Sequence, residues 1–295
     1  MSVLVLLVIV PFMAYAEQLP ALGTDAESIS QYDATVEAAG RPLHWNLIFM
    51  AYNKPLNTTL LNNLAARDVT HVVVTLELQA KLADIANGTL DADLKAASDQ
   101  MSLWHQAHPN IQMIVRPFHE MNGSWYPWGF EGGHNGNSIS QFVPAWKHVR
   151  RVMRSEFPQL AFMWCPNILF YSGDEYSLYY PGNDHVEYLG LDGYNYSSSQ
   201  GTWTTIQNVF HKSLTAIRSN PGIDPNKPLV IAETGTTEPD ANSAAEGHSK
   251  AEWFSNSYGN MGWWLHNEAP QFGVAAVLYF DYPDLYTGKK AFRKK

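Results

Sequence analysis

The sequence predicts an α/β protein folded as a single (β/α)8 TIM barrel, with its working face at the C-terminal ends of the strands. Three observations carry that expectation. Short apolar or β-branched runs alternate with amphipathic stretches, the runs number eight, and no Pro/Gly/Ser linker or repeat divides the 295 residues.

Taken in order, the first strand is expected at Leu19–Gly23, a brief run that stops at a glycine. Leu43–Met50 and His71–Leu76 are the second and third, the latter carrying Val72-Val73-Val74-Thr75, four consecutive β-branched residues. Between them, Leu60–Arg67 places apolar residues at helical spacing. The longer amphipathic stretch Leu90–Gln106 leads to the strand Ile111–Phe118, and the helix Ser140–Glu156 leads to Leu160–Trp164. Tyr188–Leu191 is the sixth strand and Leu229–Ala232 the seventh, with a helix over Trp203–Ser219 between them. A helix across Ala244–His266 precedes the last strand, Val274–Phe280. Eight is the number at which such units close into a barrel.

Composition narrows the function classes. Hydrophobic residues make up 45% of the chain, enough for a sizeable core, and aromatic residues reach 13%, more than a core alone uses. With 28 acidic against 19 basic side chains the net charge is −9, and no basic stripe runs along any expected helix, which argues against nucleic acid as a partner. Residues 1–16 read as a signal peptide: an apolar run, Val3 to Met13, then Ala14-Tyr15-Ala16, a small-x-small cleavage site. The n-region departs from the usual pattern in lacking Lys or Arg. The run is too short to span a bilayer as a helix, so residues 17–295 are expected to be a secreted, monomeric catalytic barrel, not a membrane protein. Cys165 is the only cysteine, sits in Phe162-Met163-Trp164-Cys165, and reads as a buried small hydrophobe.

Two carboxylates stand out. Glu120 follows the fourth strand in Arg116-Pro117-Phe118-His119-Glu120-Met121-Asn122-Gly123, and Glu233 ends the seventh in Val230-Ile231-Ala232-Glu233-Thr234-Gly235. Strand ends converge on one face of a barrel, so the two meet whatever their separation in sequence. A carboxylic acid and a carboxylate across one gap suit glycosidic bond cleavage: one gives a proton to the leaving oxygen, the other stabilises or attacks the anomeric centre. Alone, either glutamate would read as a strand-end carboxylate paired with an arginine or capping a helix. The ionisable run around Glu120 and the loop Trp125-Tyr126-Pro127-Trp128-Gly129, with indoles suited to sugar faces, reverse that reading. His119-Glu120 begins like a zinc-protease HExxH, but its fifth position is Gly123, so no metal is expected, and no cofactor either. The glycine-rich stretch Gly129 to Asn137 lacks the Lys-Ser/Thr of a phosphate loop. Tyr171, Tyr176, Tyr179 and Tyr180 could either bind sugar or form a packed aromatic loop.

Arg116 to Gly129, RPFHEMNGSWYPWG, resembles the acid/base segment of glycoside hydrolase family 26, in which a histidine directly precedes the catalytic glutamate. The resemblance extends to Asp84-Ile85-Ala86-Asn87-Gly88 with Leu90-Asp91, to Thr75-Leu76-Glu77, to Met163-Trp164-Cys165-Pro166-Asn167, to Gly190-Leu191-Asp192-Gly193-Tyr194-Asn195 and to Ala232-Glu233-Thr234-Gly235. It implies a retaining mechanism with Glu120 as acid/base, Glu233 as nucleophile, His119 as a partner tuning that centre, and Tyr194 as a hydrogen-bond donor to the nucleophile. It also implies supporting roles for Arg116, Asn122 and Asp192, and sugar contacts for Trp125, Trp128, Trp164, Tyr196 and Tyr279. Strand eight departs from many barrel glycosidases, with Tyr279-Phe280 where a tryptophan commonly lies. The implied partner is a β-linked polysaccharide, β-1,4-mannan first, with mixed-linkage β-1,3/1,4-glucan and β-1,3-xylan as alternatives. A transglycosidase, or a non-catalytic carbohydrate-binding barrel, would share much of the pattern.

Overall fold

The computed structural model describes residues 19–129, 136–169, 175–196, 203–258 and 262–280. The leader segment, residues 130–135 of the glycine-rich stretch, Tyr171, and the basic C-terminal tail lie outside them. Eight parallel strands close in chain order: β1 (Ala21–Thr24), β2 (Trp45–Ala51), β3 (His71–Glu77), β4 (Gln112–Pro117), β5 (Ala161–Trp164), β6 (Tyr188–Asn195), β7 (Leu229–Thr236) and β8 (Val274–Tyr279), with β8 pairing back onto β1. All eight coincide with expected strands.

Helices cover the outside. They are α1 (Ile29–Ala39), α2 (Thr58–Ala65), α3 (Leu82–Ala86), α4 (Asp91–Ala107), α5 (Ile139–Glu156), α6 (Ile206–Ser219), α7 (Ala241–Ala245), α8 (Lys250–Ser257) and α9 (Trp263–Asn267). Local chemistry sets their ends. The Ser28 hydroxyl accepts from the Gln31 amide to start α1, Gly40 ends it at φ 67°, and Ser138 with Gln141 forms a reciprocal capping box before α5. The helix expected across Ala244–His266 is instead broken, because Gly247 adopts φ 93°, which ends α7, and Ser249 caps a new start for α8.

Strand alternation sorts side chains into two cores. Trp45, Leu47, Val73, Ile114, Ala161, Met163, Cys165, Val230, Ala232, Ala276 and Leu278 fill the barrel interior, while the intervening residues pack beneath the helices. At the floor, the Trp45 and His71 rings stack 4.0 Å apart. Higher up, the inward positions turn polar, with Thr75, Arg116 and Asp192 fully buried, and these form the base of the mouth.

Candidate active site

Arg116 is the next inward residue on β4 above Ile114, and it organises the mouth. Its Nη1 lies 2.9 Å from both carboxylate oxygens of Asp192, its Nε donates to Thr75 Oγ1 at 2.9 Å, and its Nη2 donates to Glu233 Oε1. Burial alone would weaken this cation, but the charges of Asp192 and Glu233 outweigh it and push its pKa well above the ordinary arginine value. Cys165 sits below, its Sγ 3.2 Å from Asp192 Oδ1, and burial together with that carboxylate pushes the thiol well up; it is a packed thiol, as expected.

Glu233 reaches the mouth through an irregularity in β7. Leu191 pairs with Ile231 but Asp192 pairs with Glu233, so Ala232 is skipped in the ladder with β6. The bulge lets consecutive residues face inward, Ala232 into the interior core and Glu233 onto Arg116. Its second oxygen, Oε2, accepts from the Tyr194 hydroxyl at 2.5 Å.

Glu120 arrives by a different route. After β4 ends at Pro117 the chain adopts left-handed backbone at Phe118 (φ 55°) and Glu120 (φ 54°), a conformation that costs free energy for side chains of this size. The Glu120 amide donates to the Cys165 carbonyl at 2.8 Å, and its carboxyl accepts from Trp125 Nε1 and Asn167 Nδ2, each at 2.5 Å. Carboxyl oxygens of Glu120, Asp192 and Glu233 lie within 4.8 Å of one another. One guanidinium touches two of the three, Asp192 and Glu233. The third, Glu120, is pushed up to about 7 by burial and by the Glu233 charge, against the opposing pull of Trp125, Arg116 and Asn167. Three carboxylates are also a plausible set of oxygen ligands, but Arg116 already supplies the positive charge between two of them.

The rings divide sharply. Trp125 and Tyr196 are partly exposed beside the glutamates, Tyr196 with its ring 5.4 Å from that of Tyr194. Three expected sugar contacts are elsewhere. Trp128 is fully buried, stacked on Tyr126 with Nε1 donating to the His119 carbonyl. Trp164 faces outward from β5 between inward Met163 and Cys165, against Tyr176 and Tyr180, with Nε1 donating to the Tyr179 carbonyl. Tyr279 likewise points outward from β8 onto Phe254 and Tyr258 of the α8 region. Strand parity is the reason in the last two cases: the inward partner after Leu278 is Phe280, whose ring meets Phe49 and Tyr194. Of the tyrosines after β5, Tyr176 and Tyr179 are buried in the outer core, a packed loop.

His119 is fully buried among the rings of Phe49, Tyr126 and Trp128, and neither ring nitrogen has a hydrogen-bond partner among the described residues. It makes no hydrogen bond to either glutamate. Burial, with the Arg116 charge, holds its pKa well below the usual histidine range, so the ring is neutral. Asn122 instead braces the neighbouring strand end: its Oδ1 accepts from the Asn167 amide at 2.8 Å and its Nδ2 donates to the Asn167 carbonyl at 3.1 Å. Sequence reasoning missed three residues here: Asn167, Phe49 and Phe280. Phe280 was legible only through strand phase, and Asn167 carried no separate signal. A cavity of about 350 Å³ adjoins Phe49, lined also by Glu27, Lys54, Asn57 and Glu77.

Comparison with known proteins gives a consistent picture. The family described as Glycosyl hydrolase family 26 matches residues 59–264. Endoglucanase H of Acetivibrio thermocellus is 29% identical over 186 residues, covering 60% of this chain and 18% of that protein. A mannan endo-1,4-beta-mannosidase of Bacillus subtilis is 28% identical over 121 residues, 40% of this chain and 29% of that protein. The chain thus spans less than a third of the length of these curated relatives. Among solved structures, a GH26 beta-mannanase from Bacteroides ovatus superposes with TM-score 0.63 at 16% identity, over 90% of this chain and 81% of that one. GH26A from Muricauda sp. superposes with TM-score 0.57 at 17% identity, over 90% and 84%. At these identities the superpositions speak for a shared barrel.

Proposed function

Since the chain belongs to glycosyl hydrolase family 26, we propose that it is a secreted, retaining, endo-acting glycoside hydrolase whose substrate is a β-linked polysaccharide, β-1,4-mannan first. The observation that carries this reading is the approach of the Glu120 and Glu233 oxygens to within 4.8 Å. Retaining glycosidases hold their carboxyl groups at about 5–5.5 Å, whereas inverting enzymes need roughly 6.5–9.5 Å to admit water.

In the first step Glu233 attacks the anomeric carbon while Glu120 gives its proton to the departing glycosidic oxygen. In the second, Glu120, now a carboxylate, takes a proton from water as that water attacks the same carbon and releases Glu233. The pKa of Glu120, about 7, suits a group that must hold and then accept a proton near neutrality. Arg116 and Tyr194 occupy both oxygens of Glu233 and aim it. Trp125, Tyr196 and Phe280 are the rings placed to meet sugar faces, and the cavity beside Phe49 offers room for further units of the chain.

Mannan is preferred because several relatives bear the name mannan endo-1,4-beta-mannosidase. Mixed-linkage β-glucan is the second reading, favoured by the Endoglucanase H match over 60% of this chain. Incubation with galactomannan, barley β-glucan and β-1,3-xylan, counting new reducing ends, separates them. Faster release from galactomannan is the expected result; release from barley β-glucan alone would transfer the assignment. Following the anomeric configuration of the first product by NMR tests retention.

A further inference from the structure

We propose that Asn167 is a positioning residue for Glu120, holding Oε1 in a buried hydrogen bond so that Oε2, on the side of the partly exposed Trp125, is the oxygen that meets the leaving group. The proposal rests on the reading of Glu120 as the acid/base and adds a residue to it.

The geometry is specific. Cys165, Pro166 and Asn167 run directly on from β5 and grip Glu120 twice, the Cys165 carbonyl taking its amide and Asn167 Nδ2 donating to Oε1. Asn167 itself is 6% exposed and cannot swing freely. Its amide and carbonyl are tied to both ends of the Asn122 side chain, its carbonyl also accepts from Tyr176 Oη at 3.1 Å, and it bridges to Asp192 on β6. Left-handed backbone at a glutamate persists only where its surroundings hold it, and this bracing lies directly against it. Oε1 faces this buried anchor, whereas Oε2 faces the partly exposed Trp125. Oε2 is therefore the oxygen on the side open to a leaving group.

An N–H donor favours the carboxylate, so removing it favours the acid. The other groups acting on Glu120 are Glu233 on β7, Arg116 on β4 and Asp192 on β6, with Tyr194, Tyr196, Tyr126 and the neutral His119 around them. An Asn167 variant leaves all of them in place, so a change in titration reports the lost amide.

The test measures pH profiles of kcat/KM on polysaccharide, and rates on a dinitrophenyl β-glycoside, for Asn167→Ala, Asn122→Ala and Glu120→Ala. For Asn167→Ala the alkaline limb should move up by about one pH unit. Polysaccharide turnover should fall at least about tenfold, and glycosylation by the activated glycoside should fall by less than about threefold. Asn122→Ala, which loosens the anchor without touching Glu120, should shift the limb the same way and less, and it serves if Asn167→Ala does not fold. An unmoved limb, or equal losses on both substrates, overturns the proposal. If Glu120→Ala leaves polysaccharide turnover intact, the acid/base assignment itself fails; if it abolishes turnover while the Asn167→Ala limb stays put, only the role of Asn167 does.

Discussion

Tyr194 Oη lies 2.5 Å from Glu233 Oε2, and the same glutamate's other oxygen accepts from Arg116, so the carboxylate has one hydrogen bond to a neutral donor and one to a cation. Tyr194→Phe removes the neutral donor and keeps the ring. A hydrogen bond to a charged group contributes about 1.5–3 kcal/mol, so kcat should fall roughly 10- to 150-fold. KM should change little, because the sugar contacts remain. Steady-state kinetics with a circular-dichroism check on folding reads this; unchanged kcat would show that Arg116 alone aims Glu233.

Glu233→Ala should abolish turnover, and azide should restore some activity by forming a glycosyl azide of inverted configuration. Azide fits because the truncation opens room on the face that Glu233 attacks. Near-native activity without azide would remove the nucleophile assignment.

Glu120→Ala should cost far more on substrates with poor leaving groups than on activated aryl glycosides, because only the former need the proton. Polysaccharide rates should drop by about 10²- to 10⁴-fold. Comparable losses on both classes would argue against an acid.

The raised pKa of Glu120 makes activity and stability fall in the same direction. Activity needs the protonated acid, so the profile should fall as pH rises through about 7. A carboxyl whose folded pKa exceeds its unfolded value contributes stability that is complete below the unfolded value, near 4.5, and is lost as pH rises through the folded one. Glu120→Gln should therefore melt close to wild type at pH 4 and above it at pH 8. Parallel melting curves across pH would contradict a raised pKa.

At the barrel floor the sign reverses. Burial lowers His71 to about 4 where it stacks on Trp45, so the folded state holds a neutral ring that the unfolded chain would protonate below about 6.5. Stability from this site is complete above the unfolded value and declines as pH falls from about 6.5 towards 4. His71→Phe, which keeps a stacking ring without the proton, should flatten the acid side of a Tm-against-pH plot. A variant curve parallel to wild type would locate the acid sensitivity elsewhere.

Strands were legible because each combines an apolar or β-branched run with flanking turn residues, as in His71–Leu76. The tails of β6 and β7 were not. Asp192 to Asn195 and Thr234 to Thr236 are polar and glycine-bearing and lie beyond the expected strand ends, although they stay in the ladder. Those tails carry part of the mouth, so local propensity failed at the C-terminal end of the barrel. Glu120 and Glu233 were singled out by their neighbours in sequence, and the barrel brings their carboxyl oxygens within 4.8 Å. The rings Trp128, Trp164 and Tyr279 were misplaced because an aromatic residue near a strand end looks alike whether it faces sugar or helix. Only strand phase, and in Trp128 the fold of one loop, decides between them. Asn167 enters the sequence reading only as the last residue of a segment resembling the family, and its contact with Glu120 emerges only when β4 and β5 lie side by side.

The unpaired position at Ala232 makes the placing of Glu233 a matter of strand register as much as of chemistry. Were the ladder to run without that skip, Ala232 would take the place opposite Asp192 and the carboxylate would turn towards the helical shell, its sequence neighbours unaltered. A chain could keep both acids, the arginine and the tyrosine and still lose the reaction. Searching such sequences for a glutamate is therefore less telling than asking whether the strand before it carries a bulge.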